Sequence, residues 1–542
     1  MANFGTNLIS HHFLQIFHLF IRANRVNISI SVFISVFASV FFLYFLKYGI
    51  LFMKKIKKGI KKMERKITND VVTEIGLTQR NKILTLEGDV AAYDLRGMKK
   101  EFPNITTLKI KNGVTAIRIS NRTFPNIRKV ISESPLFETK ETMLIRTSKL
   151  KSEKGILLNA FCKSEEEALY FKNVAVIADM ALDGCDTKKV FNTKHLTCIN
   201  KDGLSGSAFD LNKAHPGSGP IMFGDCLIGF NDDTGSYELT KDVKYIIFPE
   251  GFSGSKLERL VVKDYKLLSV LNGIGDAQIC DTLYIDDITD FREAFGSNEI
   301  CLNAKHVQIN DENNYLKSQN DMIFDKKGGI LYDSAWLLSG NAVIPDGVKT
   351  IRTYAFSSPY IASVEFPASV TNIQSGAFLN ADNVTVIQCN GENVPHGCIE
   401  AFARNYEPYP DDKNTVIKIV CNKGHVFLPR YMTEKSIKKL DKICNEEFAT
   451  LKKAYQYAIN EEVRQDTMIR EYAFSKDKNI AAYLKDDIKS IVLRYIQEDR
   501  ESDAIVAVNI GMLLEDDLRE IKSVAENASM RELILKINNT LS

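Results

Sequence analysis

Between Ala342 and Val386 the apolar residues recur in one pattern at a fixed offset. Ile344-Pro345-Asp346-Gly347-Val348-Lys349-Thr350-Ile351 leads into Ala355-Phe356, and Phe366-Pro367-Ala368-Ser369-Val370-Thr371-Asn372-Ile373 leads into Ala377-Phe378. Pro345 and Pro367, Val348 and Val370, Ile351 and Ile373, and Phe356 and Phe378 are each 22 residues apart. Val364 and Phe366 alternate with Ser363 and Glu365, which predicts a short strand with one apolar and one polar face. Pro367 ends that strand because it lacks the amide donor of a central ladder position. Val370, Ile373, Ala377 and Phe378 supply the other apolar positions of the unit. No unit of this size buries them alone, so neighbouring coils are expected to stack around a shared core as a solenoid.

A period of about 20 to 29 residues belongs to the leucine-rich-repeat class. The pattern extends backward in degenerate form from about Lys82. Phe102-Pro103-Asn104-Ile105 recurs 22 residues later as Phe124-Pro125-Asn126-Ile127, and Leu108 is answered by Val130. Asn112-Gly113-Val114-Thr115-Ala116-Ile117 echoes Asp346 to Ile351, and Phe248-Pro249-Glu250-Gly251-Phe252 parallels Ile344 to Val348. Leu169-x-Phe171, Leu283-x-Ile285 and Val307-x-Ile309 read as further strands. The stretch from Lys201 to Tyr237, rich in Gly, Ser and Asp, reads as an insertion or an eroded repeat; its glycines fit neither a dinucleotide fingerprint nor a P-loop.

Asn313-Asn314-Tyr315-Leu316-Lys317-Ser318 and Met322-Ile323-Phe324-Asp325-Lys326-Lys327-Gly328-Gly329, running into Ile344 to Val348 and Ala355-Phe356, resemble the BspA-type leucine-rich repeats of bacteria. The resemblance is specific from about Asn313 to Val386 and looser from Leu86 to Ile309. It implies a curved solenoid with a parallel sheet and a binding role rather than catalysis; many members of the family are displayed on the cell surface. Cys398 to Tyr406 resembles the short helix that often closes such an array, since a last coil would otherwise expose its core edge. From Thr433 onward glycine almost vanishes and apolar residues take helical spacing, as in Ile437, Leu440, Ile443 and Cys444, then Ile488, Ile491, Val492 and Tyr495. This predicts an all-α helical-hairpin module, similar to a degenerate ankyrin array though without a Thr-Pro-Leu-His signature.

Residues 26–46 carry no charge and are rich in Val, Ile, Phe and Leu, which predicts an N-terminal transmembrane helix. Arg22 and Arg25 precede it; Lys47, Lys54, Lys55, Lys57, Lys58, Lys61, Lys62, Arg65 and Lys66 follow it. The positive-inside rule then puts the rest of the chain in the cytoplasm. Met53, Ile56, Ile60, Met63 and Ile67 give the flank the spacing of a basic amphipathic helix. Translation starting at Met53 would instead leave a cytoplasmic protein without the span. The expected division is 1–68 for span and flank, 69–387 for the solenoid, 388–430 for its cap, and 431–542 for the helical module.

Composition narrows the chemistry. The chain of 542 residues is 45% hydrophobic and 25% charged with a net charge of +2, so nucleic acid is not an expected partner. Ten cysteines stand singly from Cys162 to Cys444 without any Cys-x-x-Cys, the pattern of reduced, buried thiols rather than a disulfide framework or a zinc site. Gly203-Leu204-Ser205-Gly206-Ser207 and Gly251-Phe252-Ser253-Gly254-Ser255 lack the order of a nucleophile elbow. A hydrolase hidden in 201–237 would need a convergent nucleophile, base and oxyanion donor, which the residues do not assemble. No catalytic, cofactor or metal residue is therefore assigned. The expected role is non-enzymatic binding of an unidentified partner protein, with the membrane engaged through residues 26–46; a cell-surface adhesin of opposite topology is the alternative. Outward strand residues on a concave sheet are the candidate contacts: Lys109, Tyr170, Tyr284, Gln308, Glu365 and Thr385.

Overall fold

Alternating burial makes each coil of the chain contribute two short strands, one to each of two sets that alternate along the sequence. The computed structural model describes residues 82–541 apart from 90, 97, 99, 141–142, 148–153, 162–163, 253, 273, 275–276, 297–299 and 447. The span 26–46, the basic flank and Cys162 lie outside the described residues. Among those described, no helix is long and apolar enough to cross a membrane.

The first set forms parallel ladders: Ile83–Leu86 with Thr107–Ile110 and Lys129–Ser132, then Ala168–Tyr170 with Lys189–Phe191. Ser236–Glu238, Arg259–Val262, Cys280–Ile285 and Ala304–Ile309 make the next ladder. Gly340–Val343, Ile361–Phe366, Val386–Cys389 and Val416–Cys421 make the last, which the antiparallel strand Gly424–Pro429 ends. The second set runs through Ala91–Asp94, Val114–Arg118, Gly155–Asn159, Val174–Ile177, Cys226–Phe230, Tyr245–Ile246, Ile330–Ser334, Thr350–Ile351 and Asn372–Ile373. The result is a β-solenoid of about 12 turns followed by a helical region.

The core lies between the two sets. Val364 and Ile387 from the first and Ile351 and Ile373 from the second belong to one buried cluster. Successive clusters reach from Leu84 to Phe161, Met143 to Ile247, Leu227 to Ala335 and Met322 to Ala454, and each overlaps the next in sequence. The 22-residue phenylalanine offset becomes a column of rings: Phe356 stacks on Phe378 at 4.7 Å, and Phe378 on Phe402 at 4.3 Å.

Among the described residues, three antiparallel stretches interrupt the parallel regime, and in the first and third a further antiparallel strand follows, Gly155–Asn159 and Ile330–Ser334. Phe137–Lys140 pairs with Met143–Arg146, Pro220–Phe223 with Cys226–Phe230, and Leu316–Gln319 with Met322–Asp325. Each opens a new ladder of the second set. The glycine-rich stretch from Lys201 to Tyr237 is thus built into the solenoid, with Phe223, Leu227 and Ile228 fully buried. Its period was hidden because a hairpin spends residues on a reversal that a parallel coil does not contain.

The carboxyl end is closed by α1 (Cys398–Phe402), α2 (Glu434–Ile443) and a 3₁₀ segment, Phe448–Tyr457. Ile437, Leu440, Leu451 and Ala454 share the core cluster of the last coils, so the cover extends beyond residue 430. Gly397 begins α1 at φ 81°, where a Cβ would stand 2.0 Å from the Ile373 carbonyl oxygen. Asp441 of α2 accepts from the Gly397 and Ile399 amides at 2.9 Å each, which joins the two helices. Helices α3 (Glu461–Ser475), α4 (Lys478–Leu484), α5 (Ile488–Gln497), α6 (Glu501–Asn509), α7 (Glu515–Asn527) and α8 (Arg531–Leu541) surround a separate core from Met468 to Ile537.

Phe378 touches rings from both neighbouring coils and has no exposed surface. Phe378→Ala is expected to cost about 3–5 kcal/mol. Urea denaturation followed by circular dichroism checks this; an unchanged midpoint would refute the shared core.

Candidate interaction surface and solenoid–helix junction

In each strand of the first set the inward residues are buried and those between them face out. In Cys280–Ile285 the buried positions are Cys280, Leu283 and Ile285. Ladder register then aligns outward residues from coil to coil. One row reads Thr85, Lys109, Ile131; the next segments read Tyr170 with Phe191, then Glu238, Val261, Tyr284 and Gln308. The last reads Val343, Glu365, Gln388 and Val420.

Five of the six expected residues, Lys109, Tyr170, Tyr284, Gln308 and Glu365, occupy this row. Thr385 does not: it precedes the strand Val386–Cys389, and Gln388 is the register partner of Glu365. Buried Ile387 and Cys389 flank Gln388, and that alternation marks the position in the sequence.

The row differs in chemistry along its length. Lys109 lies 3.2 Å from Glu133 on the next coil. Tyr170 and Phe191 are 36% and 48% exposed and stack at 5.5 Å. Arg259 lies over Tyr284 at 4.1 Å, and Glu365 accepts from Asn390 at 2.7 Å. Coil-to-coil ion pairs, Lys263 with Glu238 at 2.6 Å and Lys305 with Asp281 at 2.8 Å, lie beside the row. Phe191 was missed by sequence reasoning. Its signal is the pair of aromatics that each follow a buried residue, Tyr170 after Leu169 and Phe191 after Val190.

The helical module meets the solenoid through a buried ionic cluster. Asp466 on α3 is 2% exposed and accepts from Thr415 Oγ1 at 2.6 Å, Arg494 Nη2 at 2.6 Å, Tyr495 Oη at 2.8 Å and Arg500 Nη2 at 2.8 Å. Burial alone would raise its carboxyl; the Arg500 and Arg494 charges and these hydrogen bonds outweigh it and hold the group below its ordinary value. Glu471, also on α3 and buried, is the opposite case. Burial pushes its carboxyl up, Lys452 offsets this only in part, and its Oε2 has no hydrogen-bond partner.

Ser207 Oγ donates to the Leu204 carbonyl at 2.6 Å within a turn, and Ser255 Oγ donates to the Ile279 carbonyl on the next coil. Cys389, Cys398 and Cys444 are buried thiols, and a hydrogen bond with Cys389 together with burial holds Cys398 well above the ordinary thiol range. Among the described residues no group of three His, Cys, Asp or Glu side chains could hold a metal ion.

Stacked coils with paired short strands and a shared core define a β-solenoid. Residues 338–406 match the family model described as "BspA type Leucine rich repeat region (6 copies)", so the repeats of that stretch are of the BspA type. No curated protein matches the chain. Among solved structures it is similar to the pneumococcal vaccine antigen PcpA, at 14% identity over 46% of this chain and 72% of that one, with a TM-score of 0.20. A leucine-rich repeat protein from Eubacterium ventriosum matches at 15% identity over 59% and 72%, with a TM-score of 0.17. A leucine rich cell surface protein from Faecalibacterium prausnitzii matches at 14% identity over 60% and 76%, with a TM-score of 0.18.

Opposite pH dependences follow for the two junction carboxyls. Asp466 contributes stability above its ordinary range and loses it as pH falls, and Asp466→Ala, which takes one carboxylate from buried Arg500 and partly buried Arg494 while Glu498 and Asp503 remain beside them, is expected to cost about 3 kcal/mol. The raised Glu471 contributes below its ordinary value of 4.5 and loses that contribution as pH rises. Glu471→Gln should therefore raise Tm at neutral pH, with the gain shrinking as the solution is acidified. Thermal melts across pH decide; a gain that grows toward acid would contradict the burial.

Proposed function

We propose that this protein is a non-enzymatic interaction protein that binds a partner protein through the outward row of its first strand set. The supporting observation is the exposed Tyr170–Phe191 stack, a large apolar contact on a rigid ladder whose register fixes both rings. Exposed aromatics held by strands lose little conformational entropy on binding, which is why they dominate protein contacts. Lys109, Tyr284, Gln308 and Glu365 add a varied polar pattern on the same row, as a selective contact requires. In this reading residues 26–46 tether the protein to a membrane, and the lysines and arginines after them keep the solenoid on the cytoplasmic side.

The test is proximity labelling in cells with the full chain and a Tyr170→Ser/Phe191→Ser variant of matched abundance and melting temperature. A specific partner should drop out with the variant, and its purified complex should weaken by more than about 30-fold, the loss of a hot-spot residue. A partner retained at full affinity would displace the binding face from these rings. Protease treatment of intact cells tests the topology: digestion of the solenoid from outside would favour an adhesin.

A further inference from the structure

The outward face does not stay open to its carboxyl end. Val386, Lys418 and Phe427 lie in ladder register across the last three strands, and helices α3 and α6 stand over them. Two confluent cavities result, of about 590 and 460 Å³, sharing Lys418, Phe427 and Arg470. In the smaller one, Phe474 is 57% exposed and lies 5.4 Å from Phe427 and 4.7 Å from His425. Ala473, Val506 and Ile510 complete an apolar wall, and Lys418, Arg470 and Lys476 are its charged residues, with no carboxylate in the lining. Arg470 is paired with Asp503, whereas Lys418 and Lys476 lie against aromatic rings without a carboxylate partner among the described residues.

We propose that this groove binds an acidic peptide segment of another protein, with an apolar side chain of that segment seated against Phe427 and Phe474. Charge complementarity names the occupant. Two lysines without counter-ions face a cavity whose walls suit an aliphatic or aromatic side chain. A polynucleotide fits less well, because its chain would have to run on through the confluent larger cavity past Asp499, Glu501 and Asp503, whereas a short acidic segment is held within the smaller cavity, whose lining has no carboxylate. The site is separate from the Tyr170–Phe191 face, so it stands if that face binds nothing.

Fluorescence anisotropy on the full chain tests it with three labelled probes: a short peptide of Asp and Glu around a central Leu-Phe pair, the same peptide with Lys for each acid, and a single-stranded oligouridylate. The acidic peptide should bind at least about tenfold more tightly than the lysine peptide and lose affinity with added salt. Lys418→Glu and Lys476→Glu should each weaken it by about tenfold or more, and Phe474→Ala should weaken it with the circular dichroism spectrum of the folded chain retained. Lys476 is exposed, so its reversal leaves the cores intact, and Tyr170→Ser/Phe191→Ser should leave this binding unchanged. Absence of acidic-peptide binding, indifference to the charge reversals, or tighter binding of the oligouridylate would each overturn the proposal.

Discussion

Phe356, Phe378 and Phe402 stand ring against ring because each comes from a coil too small to cover its own aromatic. That deficit drives the architecture. A coil gains burial only from its neighbours, so stability accumulates by contact between successive coils rather than around one centre. The overlap of successive core clusters, with Met143 and Ile145 of one lying within the sequence range of the one before, is the physical form of that coupling. The same dependence explains the hairpins. Where a coil drifts from the period, an antiparallel pair such as Pro220–Phe223 with Cys226–Phe230 keeps the backbone bonded and fills the core with Phe223 and Leu227 until parallel pairing resumes.

Neighbour-only stabilisation leaves the ends exposed, and the carboxyl end shows what closing one requires. Arg404 donates to the Phe378 and Leu379 carbonyls at 3.0 and 3.2 Å and to Asp382 at 2.6 Å. Arg430, with no exposed surface, donates to the Asn414, Phe402 and Val384 carbonyls. These carbonyls lie on the last coils and on α1, and a guanidinium supplies several donors in one plane, so each arginine ties several of them together. Burial and the nearby Arg404 charge push Arg430 down to about 10, which leaves it cationic at neutral pH and still a donor.

Much of this was legible in the sequence, for a definite reason. A parallel coil repeats its inward residues at nearly constant spacing, so Pro345 and Pro367 or Phe102 and Phe124 announce it directly. Outward residues are constrained only through register, so Lys109, Tyr284 and Glu365 could be placed from their buried flanks, whereas Thr385 was misplaced by a few positions where the strand begins later than its hydrophobicity suggests. Phe191 escaped because its strand, Lys189–Phe191, has a single fully inward residue, too little for alternation to register. The junction was invisible for another reason. Asp466, Arg494, Arg500 and Thr415 are distant in sequence and carry no periodic signal; only the fold brings them together.

That junction also governs the geometry of the groove. The exposed pair Lys413 and Asp499, 3.1 Å apart, contributes little because solvent screens it. The angle at which α3 and α6 stand over the last strands therefore depends on Asp466 and its partners, which are buried and directional, and on the packing of Phe474 against Phe427. An apolar contact alone would let the helices slide across the sheet, since dispersion is indifferent to small rotations. A carboxylate bound by Thr415 on one side and by Arg494, Tyr495 and Arg500 on the other admits one arrangement, and the distance between Lys418 on the sheet and Lys476 beyond α3 is set by it.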